Sequence, residues 1–498
     1  MPDATATILP ALAIAVDPTN LLLITLGLIA GIFMGILPGF GGSQALALMF
    51  PFTFLMTAEG AVLFMVSVYS AAEYGGSIPA ILIRTPGTSA AAITVLDGYP
   101  MAKAGKARRA LMISLVGGAF GGIVSSVMFI IFATALAWVG LQFGPAEMFA
   151  IGVFGLAIIG SFIGTDPTKG FIAACLGLLL STVGTSGFGG VRFDFNQSYL
   201  ADGIPLIVMI MAMLAAPEVF RMLGELYRGP AAAKAREMAE LDRESRFTMA
   251  DFAALMPTFL RGSVIGTLVG ALPGPGATLA SLLAYNEEKR WSKRGELFGT
   301  GVEEGIAAPE TANNAVVAGA LVPALALGVP GSGAIAVLIG VLISKGIVPG
   351  PTLFSEGGPL VMSIFFGLII CNLLMVAIGL FGMRLLAPIA RVPAGLLGPF
   401  VFVLLVIGAY AYDNNIMHAA MIVVLGGFAY LLERFGYSTV PVILGFIMGP
   451  IIEQNLNRAL IIHTGDLAAV FLRPITLTIL TLAVLTAILA YRRGRAYG

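Results

Sequence analysis

The chain has 498 residues, 58% of them apolar and 11% charged, with a formal net charge of zero and a mean hydropathy of +0.97. That balance excludes a string of soluble domains and a basic chain built to hold nucleic acid. Two cysteines, Cys175 and Cys371, both in apolar stretches, exclude a disulfide framework and are expected to be buried and reduced.

What remains is an integral membrane protein. Uncharged runs from Ala110 to Ala146, Gly170 to Val191, Thr311 to Ser344, Gly357 to Met383 and Pro474 to Tyr491 each suit a spanning helix, which takes about 20 residues. Long apolar runs without short alternating segments predict an all-α polytopic fold and not a β-barrel.

In chain order, residues 1–17 read as a short tail without the cationic start of a cleaved signal. A helix is expected from about Asn20 to Leu37. The chain then meets Leu37-Pro38-Gly39-Phe40-Gly41-Gly42-Ser43, a knot of helix breakers inside an uncharged run from Pro18 to Ala58. The apolar piece beyond it, Gln44 to Met56, is too short for an ordinary crossing, which predicts a half-length or re-entrant element. A span near Ala61 to Ala72 leads into a second interrupted element, Glu73 to Ser89, with Gly75-Gly76-Ser77, Pro79 and Arg84-Thr85-Pro86-Gly87-Thr88. A polar loop from Asp97 to Arg109 precedes spans near 110–140, 147–164, 170–187 and 203–222. Residues 221–251 interleave Lys234, Arg236, Arg243 and Arg246 with Glu237, Glu240, Asp242 and Glu244, which predicts a solvated cytoplasmic linker.

The second half repeats the first. Leu272-Pro273-Gly274-Pro275-Gly276-Ala277-Thr278 restates the first knot 235 positions on, and Pro330-Gly331-Ser332 restates Pro86-Gly87-Thr88 at a spacing of 244. Two broken elements per half, met twice, predict a duplication. Cations follow opposite knots in the two halves: Lys289, Arg290, Lys293 and Arg294 after the later LPG, but Lys103, Lys106, Arg108 and Arg109 after the earlier PG. With cations on the cytoplasmic side, the two repeats have inverted topology. The expected organisation is a tail at 1–17, a first transmembrane repeat at 18–220, the linker at 221–251, a second repeat at 252–490 and a cytoplasmic tail at 491–498. The late helices fall near 358–388, 396–412, 415–432, 437–452 and 474–491.

Each knot frees backbone N–H and C=O groups at membrane depth, where nothing but protein, ligand or a water-filled cavity can satisfy them. New helix N-termini attract carboxylates. The residues expected to hold an anionic substrate are Gly39, Gly41, Gly42, Ser43, Thr88, Ser89, Gly274, Gly276, Thr278, Gly331 and Ser332. Freed carbonyls around Pro38, Pro86, Pro273 and Pro330, with Thr311, suit a hard cation such as sodium. Between the second-half knots lies Glu303-Glu304-Gly-Ile-Ala-Ala-Pro309-Glu310-Thr311-Ala-Asn313-Asn314. Its start reads as a helix beginning at Pro309, with Glu310 in the first turn. Two adjacent amides entering an uncharged run are costly without a partner, so Asn313 and Asn314 are expected to be ligands. Arg84 and Glu73 are intramembrane candidates that either neutralise one another or, in the case of Arg84, meet the anion. His418 and His463 are too isolated for a metal site, and no phosphate-binding Gly-Lys-Ser/Thr ending follows Gly276.

Several of these segments form a set: Gly35-Ile-Leu-Pro38-Gly39, Tyr74-Gly75-Gly76-Ser77-Ile78-Pro79, Pro86-Gly87-Thr88, Asp97-Gly98-Tyr99-Pro100, Ala284-Tyr285 with Glu288-Lys289-Arg290, Ala308-Pro309-Glu310-Thr311-Ala312-Asn313-Asn314, Pro330-Gly331-Ser332 and Arg473-Pro474. In them the chain closely resembles, over essentially its whole length, the large transmembrane subunit of the tripartite tricarboxylate transporter family. The resemblance implies an elevator-type secondary transporter, in the bacterial inner membrane, that imports carboxylates on a sodium or proton gradient. It also implies a small membrane subunit and a periplasmic solute-binding protein as partners, and leaves a dimer open. Two other classes compete with it. A membrane enzyme acting on an anionic lipid needs a nucleophile or metal-ligand set, and none stands here at workable spacing. A passive anion channel would show flux without accumulation.

Overall fold

The computed structural model describes residues 4–37, 40–140, 142–162, 166–186, 189–227, 247–272, 274, 276–353, 357–386 and 394–497. It is α-helical apart from a two-stranded hairpin, and among the described residues nine helices are long and apolar enough to cross a membrane. The chain is a multi-pass membrane protein. Two compact units divide it: Met1–Ala133, Arg221–Val322 and Gly357–Val401 make the first, and Thr134–Phe220, Pro323–Glu356 and Phe402–Gly498 the second. Each unit draws on both halves of the sequence.

In the first unit, α1 (Ala4–Val16) occupies the stretch expected to be a tail. Its apolar, uncharged sequence packs beside the helix Gly358–Leu386, which is reason enough to fold. α2 (Pro18–Ile36) begins with Asp17 capping the N–H groups of Thr19 and Asn20. It runs into the first knot, beyond which α3 (Gly42–Met49) and a 3₁₀ turn (Phe50–Leu55) form the expected half-length piece. α4 (Ala58–Gly75) starts on a Thr57 cap, and α5 (Ser77–Ile83) ends at Arg84 in the left-handed conformation. The predicted loop at Asp97–Arg109 is instead helical. Asp97 lies inside α6 (Ala91–Met101), and only Gly105 breaks the passage into α7 (Ala107–Gly140). Asp97 is buried and Arg109 half-buried against partners, whereas Lys103 and Lys106 stay exposed at the bend.

Of the expected linker, Arg221–Tyr227 belong to a helix, 228–246 lie outside the described residues, and Met249–Asp251 open a later helix behind a Thr248–Asp251 capping box.

The second unit contains α8 (Pro145–Phe162), α9 (Pro167–Leu180), a short antiparallel hairpin of β1 (Gly184–Thr185) with β2 (Val191–Arg192), and the helices α10 (Leu206–Ile210) and α11 (Ala216–Tyr227) joined by a π turn. Cys371 is buried, but Cys175, on α9, is exposed. A helix apolar on all sides carries no periodic sign of which face turns outward, so the expectation of burial fails there. Further on, α12 (Met249–Gly270), α13 (Gly276–Trp291), α14 (Glu304–Leu327) and α15 (Gly333–Ser344) bracket the later breaks. The chain ends in α16 (Gly358–Leu386), α17 (Ala394–Asp413), α18 (Ile416–Arg434), α19 (Thr439–Ile462), α20 (Leu467–Phe471) and α21 (Pro474–Tyr497). The last of these carries the expected tail on as helix.

One packing device occurs twice in the first unit. Gly27, Gly31 and Gly35 on α2 lie against the carbonyl oxygens of Phe64, Val68 and Ala72 on α4, close enough that a methyl on Gly27 would come within 2.5 Å of its partner oxygen. Gly262, Gly266 and Gly270 on α12 meet those of Ala308, Ala312 and Val316 on α14 in the same order. Small residues let helix backbones touch where no hydrophobic force drives them together. The second glycine set follows the first by 235 positions and the second carbonyl set by 244, the two spacings that align the knots.

Candidate functional site

Three of the four broken elements meet in the first unit. α2 ends at Leu37 in extended backbone, and α3 restarts at Gly42 behind Gly41, whose side makes no cap. The Glu73 carboxylate of α4 lies at this new N-terminus: a methyl on Gly42 would fall 2.7 Å from Glu73 Oε1 and 2.9 Å from the Tyr69 ring. The second break folds back on the first. Gly87 N–H donates to Gly76 O at 3.0 Å, Thr88 covers Gly76, and Gly87 touches the Gly35 carbonyl. The third arrives through hydroxyls, Ser89 Oγ and Thr278 Oγ1 being 2.8 Å apart on an exposed surface.

The fourth break belongs to the second unit. There Pro330 and Gly331 are buried, and Ser332 caps α15 by accepting from Ile335 N–H at 3.3 Å.

Facing the first-unit breaks is one side of α14. This helix starts at Glu304, not at Pro309, so Glu310 is an interior residue and shares a face with Asn313 and Asn314. Ser77 Oγ donates to both Glu310 oxygens at 2.6 and 2.7 Å, Ser114 Oγ donates to Oε2 at 2.8 Å, and Thr94 donates to Oε1. Three helices thus send a hydroxyl to one buried carboxylate. Asn313 Nδ2 donates to the backbone oxygen of Glu73 at 3.4 Å, and its side chain approaches the Glu73 carboxylate, as does Thr88. Asn314 turns its amide nitrogen to Gly118 on α7, where a methyl would come within 2.5 Å. Thr311 donates to Ala307 O at 2.7 Å and packs on Gly117 and Gly121.

Of the other expected site residues, Gly41 and Ser43 are half-buried at the head of α3, and Gly274 and Gly276 take positive φ values of 108° and 62°. Pro86 is half-buried beside Gly87. Pro38, Gly39 and Pro273 lie outside the described residues. Arg84 does not neutralise Glu73. It is exposed, with its guanidinium 5.9 Å from the Tyr99 ring centroid, whereas Glu73 is buried.

Sequence reasoning missed Glu310, Thr94, Ser114 and Asp97. The signal for Glu310 was its spacing of three and four from the two asparagines, hidden by placing the helix start five residues late. Asp97, fully buried in α6, accepts the N–H groups of Gly299, Gly301 and Val302 at 2.8 to 3.0 Å and the Tyr285 hydroxyl at 2.8 Å. It fastens the chain that leads into α14. Arg109 adds pairs to Asp251 at 2.7 Å and to Glu303 at 2.8 Å, and Arg261 pairs with buried Glu288 at 2.6 Å. These ties hold α6, α7, α12 and α13 about the α14 face.

Interrupted helices gathered on buried polar side chains inside a multi-pass helical fold are the pattern of a membrane transporter. The profile of the tripartite tricarboxylate transporter TctA family matches residues 21–444. The chain belongs to that family and is a permease subunit of a tripartite transporter. An uncharacterized 52.8 kDa protein of the TAR-I ttuC' 3' region of Agrobacterium vitis is 35% identical over 477 residues, covering 96% of this chain and 94% of that protein. A second, from the TAR-II ttuC' 3' region of the same organism, is 38% identical over 225 residues, covering 45% of this chain and 93% of its own length. No solved structure matches.

Proposed function

We propose that this permease imports a carboxylate delivered by a periplasmic solute-binding protein, works with a small membrane subunit in the bacterial inner membrane, and couples uptake to a cation gradient. The observation that carries the reading is the meeting of the first two breaks at Glu73, which Asn313 of α14 also reaches, with the third break joined to the second through Ser89 and Thr278. The open N-terminus of α3, with Gly41, Gly42 and Ser43, supplies N–H groups to a carboxylate. Thr88, Ser89 and Thr278 supply hydroxyls. Fixed donors of this kind suit a solute whose charge must be held away from water and then released.

Asn313→Ala is expected to cut uptake at least about tenfold in proteoliposomes supplied with the binding protein, the loss that one well-placed amide contact accounts for. Uptake and cation dependence equal to wild type would remove Asn313 from the site.

The repeats are inverted in this reading, the linker and C-terminus are cytoplasmic, and an elevator-type movement carries the first unit's site. The recurrence of the 235 and 244 spacings in the packing of α2 on α4 and α12 on α14 supports the duplication. Inversion has its own test. Single cysteines in the Thr57–Gly60 and Glu287–Arg294 segments are expected to react with an impermeant maleimide from opposite sides of the membrane. Labelling of both from one side sinks the inverted arrangement.

A further inference from the structure

Among the described residues of the first unit, the buried side-chain polar atoms that meet no hydrogen-bond partner are Ser70 Oγ, Glu73 Oε2, Asn313 Oδ1, Asn314 Oδ1 and Asn372 Oδ1. Every one is an oxygen. Four are acceptors only and the fifth, the Ser70 hydroxyl, can also accept; buried acceptors without donors are costly, and so many in one unit point to a missing electropositive partner. A carboxylate adds weight: Glu73 is only 6% exposed, and among the described residues no lysine or arginine pairs with it or with Glu310. Glu310 has its three hydroxyl donors. Glu73 Oε2 has none.

From these atoms we infer that Glu73 Oε2 and Asn313 Oδ1 ligate a sodium ion, with Ser70, one turn back on α4, completing the side-chain set. The backbone of Glu73 already holds Asn313 at 3.4 Å, so the two ligands share one place. Carboxylate, amide and hydroxyl oxygens suit a hard cation. A single carboxylate matches one positive charge better than two, and the absence of nitrogen and sulfur ligands disfavours a transition metal.

This inference rests on the permease reading for its role and gives that reading a coupling device. Glu73 presents Oε1 to the N-terminus of α3, where the substrate carboxylate is proposed to bind, and Oε2 to the ion. With sodium absent, the carboxylate opposes an incoming anion. With sodium bound, its charge is matched, and the helix end is left free to attract the solute.

The test uses the purified full chain in nanodiscs without any carboxylate. Its thermal midpoint and its binding of radioactive sodium are measured in sodium, potassium and choline chloride at constant ionic strength and pH. Sodium is expected to raise the midpoint saturably and to bind, with affinity weakened at least about tenfold in Glu73→Gln and in Asn313→Ala. Thr486→Ala, whose hydroxyl bonds only to Leu482 O of its own helix, is expected to behave as wild type.

No sodium binding by wild type, binding unchanged in both variants, or a midpoint that rises equally in potassium and choline overturns the site. Wild-type binding data decide the matter even if Glu73→Gln does not fold. Sodium binding lost with uptake intact in Asn313→Ala overturns the ion's role and leaves the permease reading standing. Sodium binding without any carboxylate uptake supports the ion site and strikes the permease reading.

Discussion

Gly87→Ala is expected to leave almost no folded permease. The added methyl would meet the Gly35 carbonyl oxygen and lie 2.7 Å from Gly76 Cα, so three stretches of backbone crowd one point. Overpacked cores relax by moving side chains and still lose about 1–3 kcal/mol. Here the obstacles are main chain on α2 and at the α4–α5 junction, and the Gly87 N–H to Gly76 O bond at 3.0 Å fixes their separation. A loss beyond about 3 kcal/mol follows. Fluorescence-detected size exclusion of a tagged permease, with its thermal midpoint in detergent, measures the effect. Gly427→Ala serves as the control, since a methyl there meets nothing within 4 Å. A Gly87→Ala protein as monodisperse and as heat-stable as wild type would show that the two breaks do not lock together.

The second large effect is expected at Glu310. Glu310→Ala removes the acceptor shared by Ser77, Thr94 and Ser114, hydroxyls sent by α5, α6 and α7. Hydrogen bonds to a charged group contribute about 1.5–3 kcal/mol each. Part of that loss is recovered, because a helical serine or threonine can turn back to its own helix carbonyl and because the cost of burying a charge disappears. A net destabilisation of about 3 kcal/mol remains. Glu310→Gln keeps one acceptor oxygen and the side chain's shape, so it is expected to lose less than half as much stability.

Transport is expected to separate the two effects. If Glu310 acts only as a brace, the Gln variant, once folded, imports at near wild-type rate. If its negative charge helps to hold the site's electrostatics, uptake falls at least about tenfold while the melting profile changes little. An Ala variant that melts with wild type would remove the three-hydroxyl cluster as a structural tie.

Much of the helical plan was legible because membrane helices announce themselves by length. The helix expected to end at Leu37 and the uncharged run expected to end at Ser344 are each followed by Pro or Gly within two residues, and the helices there end within a residue of those places. The misplaced features share a cause. Asp97 and Glu310 looked like a loop residue and a helix-start residue because an ionisable side chain in sequence carries no sign of who will meet it. Ala4–Val16 read as a tail because it lacks the cationic start of a signal, whereas what makes it a helix is packing beside α16, which that signal does not report.

By itself the amino-acid order determined that this is a polytopic helical protein, where its helices break, and the 235 and 244 spacings that recur in the helix packing. Those are properties of local hydropathy, backbone stereochemistry and repetition, and each can be read within a short window. Tertiary structure alone decided that Gly42 abuts Glu73, that Ser89 reaches Thr278 across 189 positions, and that Ser77 reaches Glu310 across 233. It also decided which oxygens are left without a donor. The physical reason is that satisfying a polar group in a low-dielectric interior depends on every neighbour at once, and neighbours are chosen by packing rather than by sequence distance.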